Sequence, residues 1–141
     1  MNMTLLDRES FQSLALSRLE DAEVLVANQR FAAAFYLVGY VVECGLKACI
    51  ARKTREHEFP NRSRVIKSYS HDLTQLREVA QVPFKEEFAS DRRLEENWSL
   101  VGNNWSEQKR YEMAAKTEAE DLLRAVNDPD HGVLQWLQKY W

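Results

Sequence analysis

Apolar residues recur at intervals of three and four between Asp7 and Asn28, at Phe11, Leu14, Ala15, Leu19, Ala22, Leu25 and Val26, while Arg8, Gln12, Glu20 and Glu23 fall elsewhere. That spacing marks one face of an amphipathic helix. After a polar break at Asn28-Gln29-Arg30, the chain from Phe31 to about Ala51 is apolar on most sides and rich in alanine. A helix of that kind is surrounded by partners in a bundle. The short link predicts that the two helices form an antiparallel hairpin. Arg52 to Ser70 contains Pro60-Asn61 and no sustained apolar period, so a long loop is expected there. Ser70 is placed to cap a third helix, with Asp72 in its first turn, Leu73, Leu76 and Val79 or Ala80 inward, and Pro83 ending it. Phe84, Phe88, Leu94, Trp98 and Val101 predict a fourth, stopped by Gly102-Asn103-Asn104. Trp105 to Met113 then connects to a fifth through Ala115, Ala119, Leu122 and Val126, and Asp128-Pro129 begins a short last helix carrying Trp136, Leu137 and Tyr140. No alternation of strand type competes, so the expected fold is all-α, an up-and-down bundle of five to six helices.

Composition agrees with few, long elements, because the 141 residues include only 4 glycines and 3 prolines. The length fits one domain, 1–141, that needs no disulfide or metal staple. A net charge of −3 excludes a globally basic nucleic-acid coat. Charge is nevertheless uneven: Arg52, Lys53, Arg55, Arg62, Arg64 and Lys67 outnumber Glu56 and Glu58 by four, which leaves −7 on the rest of the chain. Residues 52–70 thus form a basic loop able to attract phosphates. The start of the chain has no basic-then-apolar leader, and the apolar run from Phe31 to Val42 spans 12 residues before Glu43. A cytoplasmic protein with no membrane contact is expected. Cys44 and Cys49 are five apart and point about 140° from each other on a helix, as core thiols and unlike a metal knuckle or redox pair.

Within the central helix, rotation by about 100° per residue brings Tyr36, Tyr40, Glu43 and Lys47 into one stripe about 60° wide. A carboxylate in a mostly apolar helix is costly unless paired, and Lys47, one turn later, is its favourable partner. The stripe reads either as a structural ion pair satisfied by tyrosine hydroxyls or as a pocket or dimer seam. Gly39 and Gly45 each cost about 1 kcal/mol relative to alanine inside a helix, which implies close approach by another backbone. Trp105, Arg110 and Tyr111 form a second group. An aromatic platform beside a guanidinium can stack a base or hold a phosphate, and the same trio can simply anchor a connection. His57 and His131 are expected to be solvated. No Gly-Lys-Ser/Thr phosphate loop, paired Cys-x2-Cys or His-Glu-x2-His motif occurs, so no metal or cofactor is implied.

The run Phe31-Ala-Ala-Ala-Phe-Tyr-Leu-Val-Gly-Tyr-Val-Val-Glu-Cys-Gly-Leu-Lys47 resembles the second-helix signature of HEPN domains, the higher eukaryote and prokaryote nucleotide-binding family. Ala22-Glu23-Val24-Leu25 in the first helix, His71-Asp72-Leu73 at a helix start, and Trp105-x4-Arg110-Tyr111 follow in the order of its stand-alone bacterial branch. The likeness covers roughly residues 10 to 126.

The resemblance implies a helical homodimer, often paired with a nucleotidyltransferase or an antitoxin protein, with RNA or a nucleotide as ligand; Tyr40, Trp105, Arg110 and Tyr111 are the candidate binding residues. Some members are metal-independent endoribonucleases that place a Glu-x3-Lys element before an Arg-x(4 to 6)-His motif. Glu43 and Lys47 match the first element, and Arg64 and His71 satisfy the second. That chemistry needs a histidine able to exchange a proton with a 2′-hydroxyl and a cation fixed beside the phosphate. His71 is equally placed for a structural, capping role. Three functions are therefore in view: a nucleotide- or RNA-associated module, a ribonuclease using Arg64 and His71, and a purely structural protein-binding partner.

Overall fold

The computed structural model describes residues 6–54, 58–59 and 61–141. It is an all-α bundle in which α1 (Arg8–Ala27), α2 (Phe31–Lys53), α3 (Arg62–Ser68), α4 (Leu73–Ala80), α5 (Lys85–Ser90), α6 (Arg92–Asn104), a 3-10 turn (Glu107–Tyr111), α7 (Lys116–Asn127) and α8 (Val133–Gln138) follow in order. No strand occurs among the described residues. Helix α2 is the hub, packed against α1, α4, α7, α8 and the 3-10 turn. Its sequence explains this position, since thirteen of its residues are buried, from Ala34 to Ile50. It is long and apolar enough to cross a membrane by length and composition, but most of that apolar window is covered by other helices.

Helix α1 begins at the Asp7 cap, whose carboxylate accepts from Ser10 N at 2.8 Å, and turns back into α2 through Asn28–Arg30 with Gln29 in the left-handed region at φ 61°. Ala15, Leu19 and Ala22 face α2, as the three-and-four spacing requires. The same core continues around Trp136 of α8, where Phe88 at 5.2 Å and Trp98 at 5.7 Å between ring centres form an aromatic cluster. Glu87 ties this region together, accepting from the Trp136 indole, from Lys139 Nζ at 2.9 Å and from Tyr140 Oη at 2.8 Å. Cys44 and Cys49 are buried free thiols pushed up by burial to about 11 and about 12, so both stay protonated near neutral pH.

Capping accounts for the differences from the expected elements. The 52–70 stretch is not continuous loop: α2 continues to Lys53, and Asn61 caps α3 by accepting from Arg64 N at 3.1 Å. Arg55, Glu56, His57 and Pro60 lie outside the described residues. Asp72, not Ser70, is the cap of α4, and the Ser70 hydroxyl instead accepts from Asp72 N at 2.9 Å. The single helix expected from Phe84 to Val101 is two, because Asp91 accepts from Leu94 N at 3.1 Å and restarts the helix as α6. Asp128 caps a turn through Asp130 N and His131 N, both at 2.8 Å, so α8 begins only at Val133. His131 is partly exposed but not free: its Nδ1 lies 2.9 Å from Asp91 and joins the α8 entrance to the α5–α6 break. The described residues hold eight α-helices against the expected five or six, every added one being short.

Candidate functional site

Glu43 of α2 is 2% exposed, the single buried charged side chain among the described residues. Two side-chain donors offset that burial. Lys47, one helical turn on, donates to Glu43 Oε2 at 3.3 Å, as the spacing predicts. His71 Nδ1 lies 3.1 Å from both Glu43 oxygens, across 28 residues of chain. A carboxylate accepts only, so Nδ1 carries the proton in this contact and the ring orientation is fixed. The short link between α3 and α4 holds His71 there, fastened by the Ser70 and Asp72 caps.

The outer nitrogen of the same ring is turned toward the 3-10 turn. His71 Nε2 lies 3.6 Å from Glu107 Oε1, and Arg110 Nη2 approaches the same oxygen at 3.1 Å. The Arg110 guanidinium also sits over the Tyr111 ring, 5.0 Å from its centre. These groups are open to ligand, the His71 and Arg110 side chains being 46% and 45% exposed and Tyr111 73%.

Trp105 supplies the anchor for this turn. Its buried indole lies across Gly39, stacks on Tyr36 at 5.9 Å and donates Nε1–H to the Tyr36 carbonyl at 3.1 Å. Tyr36 in turn stacks on Tyr40 at 6.3 Å. What crosses Gly39 is thus an aromatic side chain and not a backbone, and Leu137 occupies the corresponding space at Gly45. Tyr40 is half-buried, and burial, followed by Cys44 and Glu43, pushes its hydroxyl up to about 12, leaving it a neutral phenol.

Glu43, Lys47, His71, Arg110 and, through the turn, Trp105 and Tyr111 are therefore one constellation, with Tyr40 on the aromatic ladder beneath it. Arg64 is not part of it within the chain. Its Nη1 is 3.5 Å from Thr54 Oγ1, and it forms no hydrogen bond or ion pair with Glu43, Lys47 or His71. It lies on α3, where Arg62 and Lys67 are exposed beside the exposed apolar residues Val65, Ile66 and Tyr69. Glu107 was missing from the sequence reading; its one local signal is the position three residues before Arg110 on a turn.

Chemically, the arrangement offers an imidazole anchored through one nitrogen with the other outward, a guanidinium beside it and an exposed ring. Such a set can hold a phosphate, stack a base and exchange a proton. Among the described residues no three His, Cys, Asp or Glu side chains converge as a metal ion requires. A groove of about 390 Å³ between α6 and α7, lined among others by Arg93, Glu96, Asp121 and Arg124, contains none of the sequence-predicted residues. Comparison with known proteins found no matching family model, no matching curated protein and no matching solved structure.

Proposed function

We propose that this chain is a HEPN-type, nucleotide- or RNA-associated module that works as a cytoplasmic homodimer, in a toxin–antitoxin or nucleotidyltransferase-linked setting. The observation that carries the reading is His71, oriented by the buried Glu43 carboxylate while its outer nitrogen faces Glu107, which the exposed Arg110 also contacts. An oriented imidazole beside a guanidinium suits a phosphate, and the exposed Tyr111 ring suits an unstacked base. The basic face of α3, with Arg62, Arg64 and Lys67, adds a wider phosphate-attracting surface.

Fluorescence anisotropy with a labelled single-stranded RNA, in EDTA and across a salt series, tests the reading. Binding should weaken steeply as salt rises and fall at least tenfold in Arg110→Ala. Binding unchanged by both would overturn it. The dimer is tested separately by sedimentation at micromolar concentration, where a species of only 16.5 kDa would count against it.

A second reading, a metal-independent endoribonuclease, is favoured by the same outward Nε2 of His71. In one protomer the guanidinium that shares a contact with His71 belongs to Arg110, so Arg110→Ala should lose cleavage more completely than Arg64→Ala. RNA that remains intact on a gel after prolonged incubation with nuclease-free protein would remove this reading and leave the module reading standing. A structural protein-binding role is what remains if neither binding nor cleavage is seen.

A further inference from the structure

We propose that His71 and Arg110 form a phosphate-oxyanion site which Glu107 fills in the resting chain as an internal anion, a carboxylate plug. The inference rests on the RNA- or nucleotide-associated reading and deepens it by naming the group recognised and the contact that withholds it. A single atom, Glu107 Oε1, sits 3.1 Å from Arg110 Nη2 and 3.6 Å from His71 Nε2. An oxyanion accepting from the guanidinium and, when the ring is doubly protonated, from the outward Nε2–H occupies the position an incoming phosphate oxygen would take.

The contact is built to be released. At 3.6 Å the imidazole leg is longer than a hydrogen bond and is easily given up. No residue from Glu107 to Tyr111 is buried, so the turn is held chiefly through Trp105 at its leading end and opens more easily than the helices it lies on. On the donor side the His71 ring is held through Nδ1 by Glu43, while Arg110 shares the exposed turn with Glu107 and is backed by the Tyr111 ring. When the Glu107 side chain swings into solvent, the Arg110 guanidinium and the outer nitrogen of His71 are left facing outward, and a phosphate oxygen takes up the contacts that the carboxylate gave up, with His71 donating when its ring is doubly protonated. A plug engaged in about nine-tenths of the molecules weakens apparent affinity about tenfold.

The probe is inorganic phosphate, titrated at constant ionic strength and followed by amide chemical shifts of residues 107–111 and 71. The expected result is an apparent Kd about tenfold tighter in Glu107→Gln than in the parent, with the gain lost in Glu107→Gln combined with Arg110→Met. Glu107→Asp keeps the charge but shortens the reach; it should recover most of the gain, which a bulk charge effect would not produce. Equal affinity in the parent and Glu107→Gln, or a gain that survives Arg110→Met, overturns the proposal. The turn is exposed, so Glu107→Gln should melt with the parent and its result read directly. A parallel titration with single-stranded RNA separates the two claims. Phosphate affinity that tightens as stated, with no RNA binding in any variant, supports the plugged oxyanion site while the RNA reading alone falls.

Discussion

Gly39→Ala is expected to destabilise the chain by about 3 kcal/mol and to disorganise the candidate site at the same time. A Cβ at this position falls within the Trp105 indole. Helix α2 is packed on every other side, so the indole is what must move. Overpacking a well-filled core costs about 1–3 kcal/mol, and a tryptophan forced from its site forfeits part of the 3–5 kcal/mol typical of Trp truncation. The displaced ring also loses its stack on Tyr36 and its hydrogen bond to the Tyr36 carbonyl. Because Glu107 follows Trp105 by two residues, the 3-10 turn loses its fixed distance from His71. Urea unfolding checks the energy. The cause is checked by repeating the substitution in a Trp105→Ala background, where the cost of Gly39→Ala should fall below 1 kcal/mol. A cost that is the same in both backgrounds would mean that Trp105 is not what limits residue 39.

Glu43→Ala is the other large effect, about 2–4 kcal/mol. The substitution removes the counter-charge from Lys47, which is itself largely covered, and the acceptor from His71, and leaves an uncompensated ammonium against the core. Glu43→Gln keeps the volume and should cost less, since a carbonyl oxygen can still accept from one of the two donors. The half-exposed His71 makes a smaller contribution than Lys47, as its ring can turn to water once released. A Glu43→Ala chain that unfolds at the parent's urea midpoint would mean that the carboxylate carries no burial cost and that the described packing of α2 is wrong.

Local rules made the α1–α2 hairpin legible, because Asp7 and Asn28 bound a long three-and-four pattern and the next helix is apolar almost all round. The Glu43–Lys47 pair was legible for the same reason, one turn apart on one stripe. The contact of His71 with Glu43 was not. It joins two elements 28 residues apart, and the Arg-x(4 to 6)-His motif of the resemblance offered Arg64 as the partner of His71 where the fold places Glu43 and Glu107 against its ring. Gly39 announced a close approach without saying whose, since a helical glycine marks only missing volume. The short helix α3 escaped the periodicity test because seven residues with three basic side chains and no buried one have no apolar face to reveal. Asn61 and Asp91 were the available signs there and at the α5–α6 break, each a capping side chain read as part of a loop or a continuous helix.

In the function proposed above, the outward nitrogen of His71 is where the chain meets a phosphate of RNA or nucleotide. The most direct test is an imidazole ¹H–¹⁵N spectrum of the histidine-labelled protein, recorded during titration with single-stranded RNA at fixed pH and salt. His71 Nε2 is expected to shift saturably with RNA while His131, held by Asp91 at the α5–α6 break, does not move. RNA that binds without perturbing His71, or that shifts both histidines alike, would contradict it.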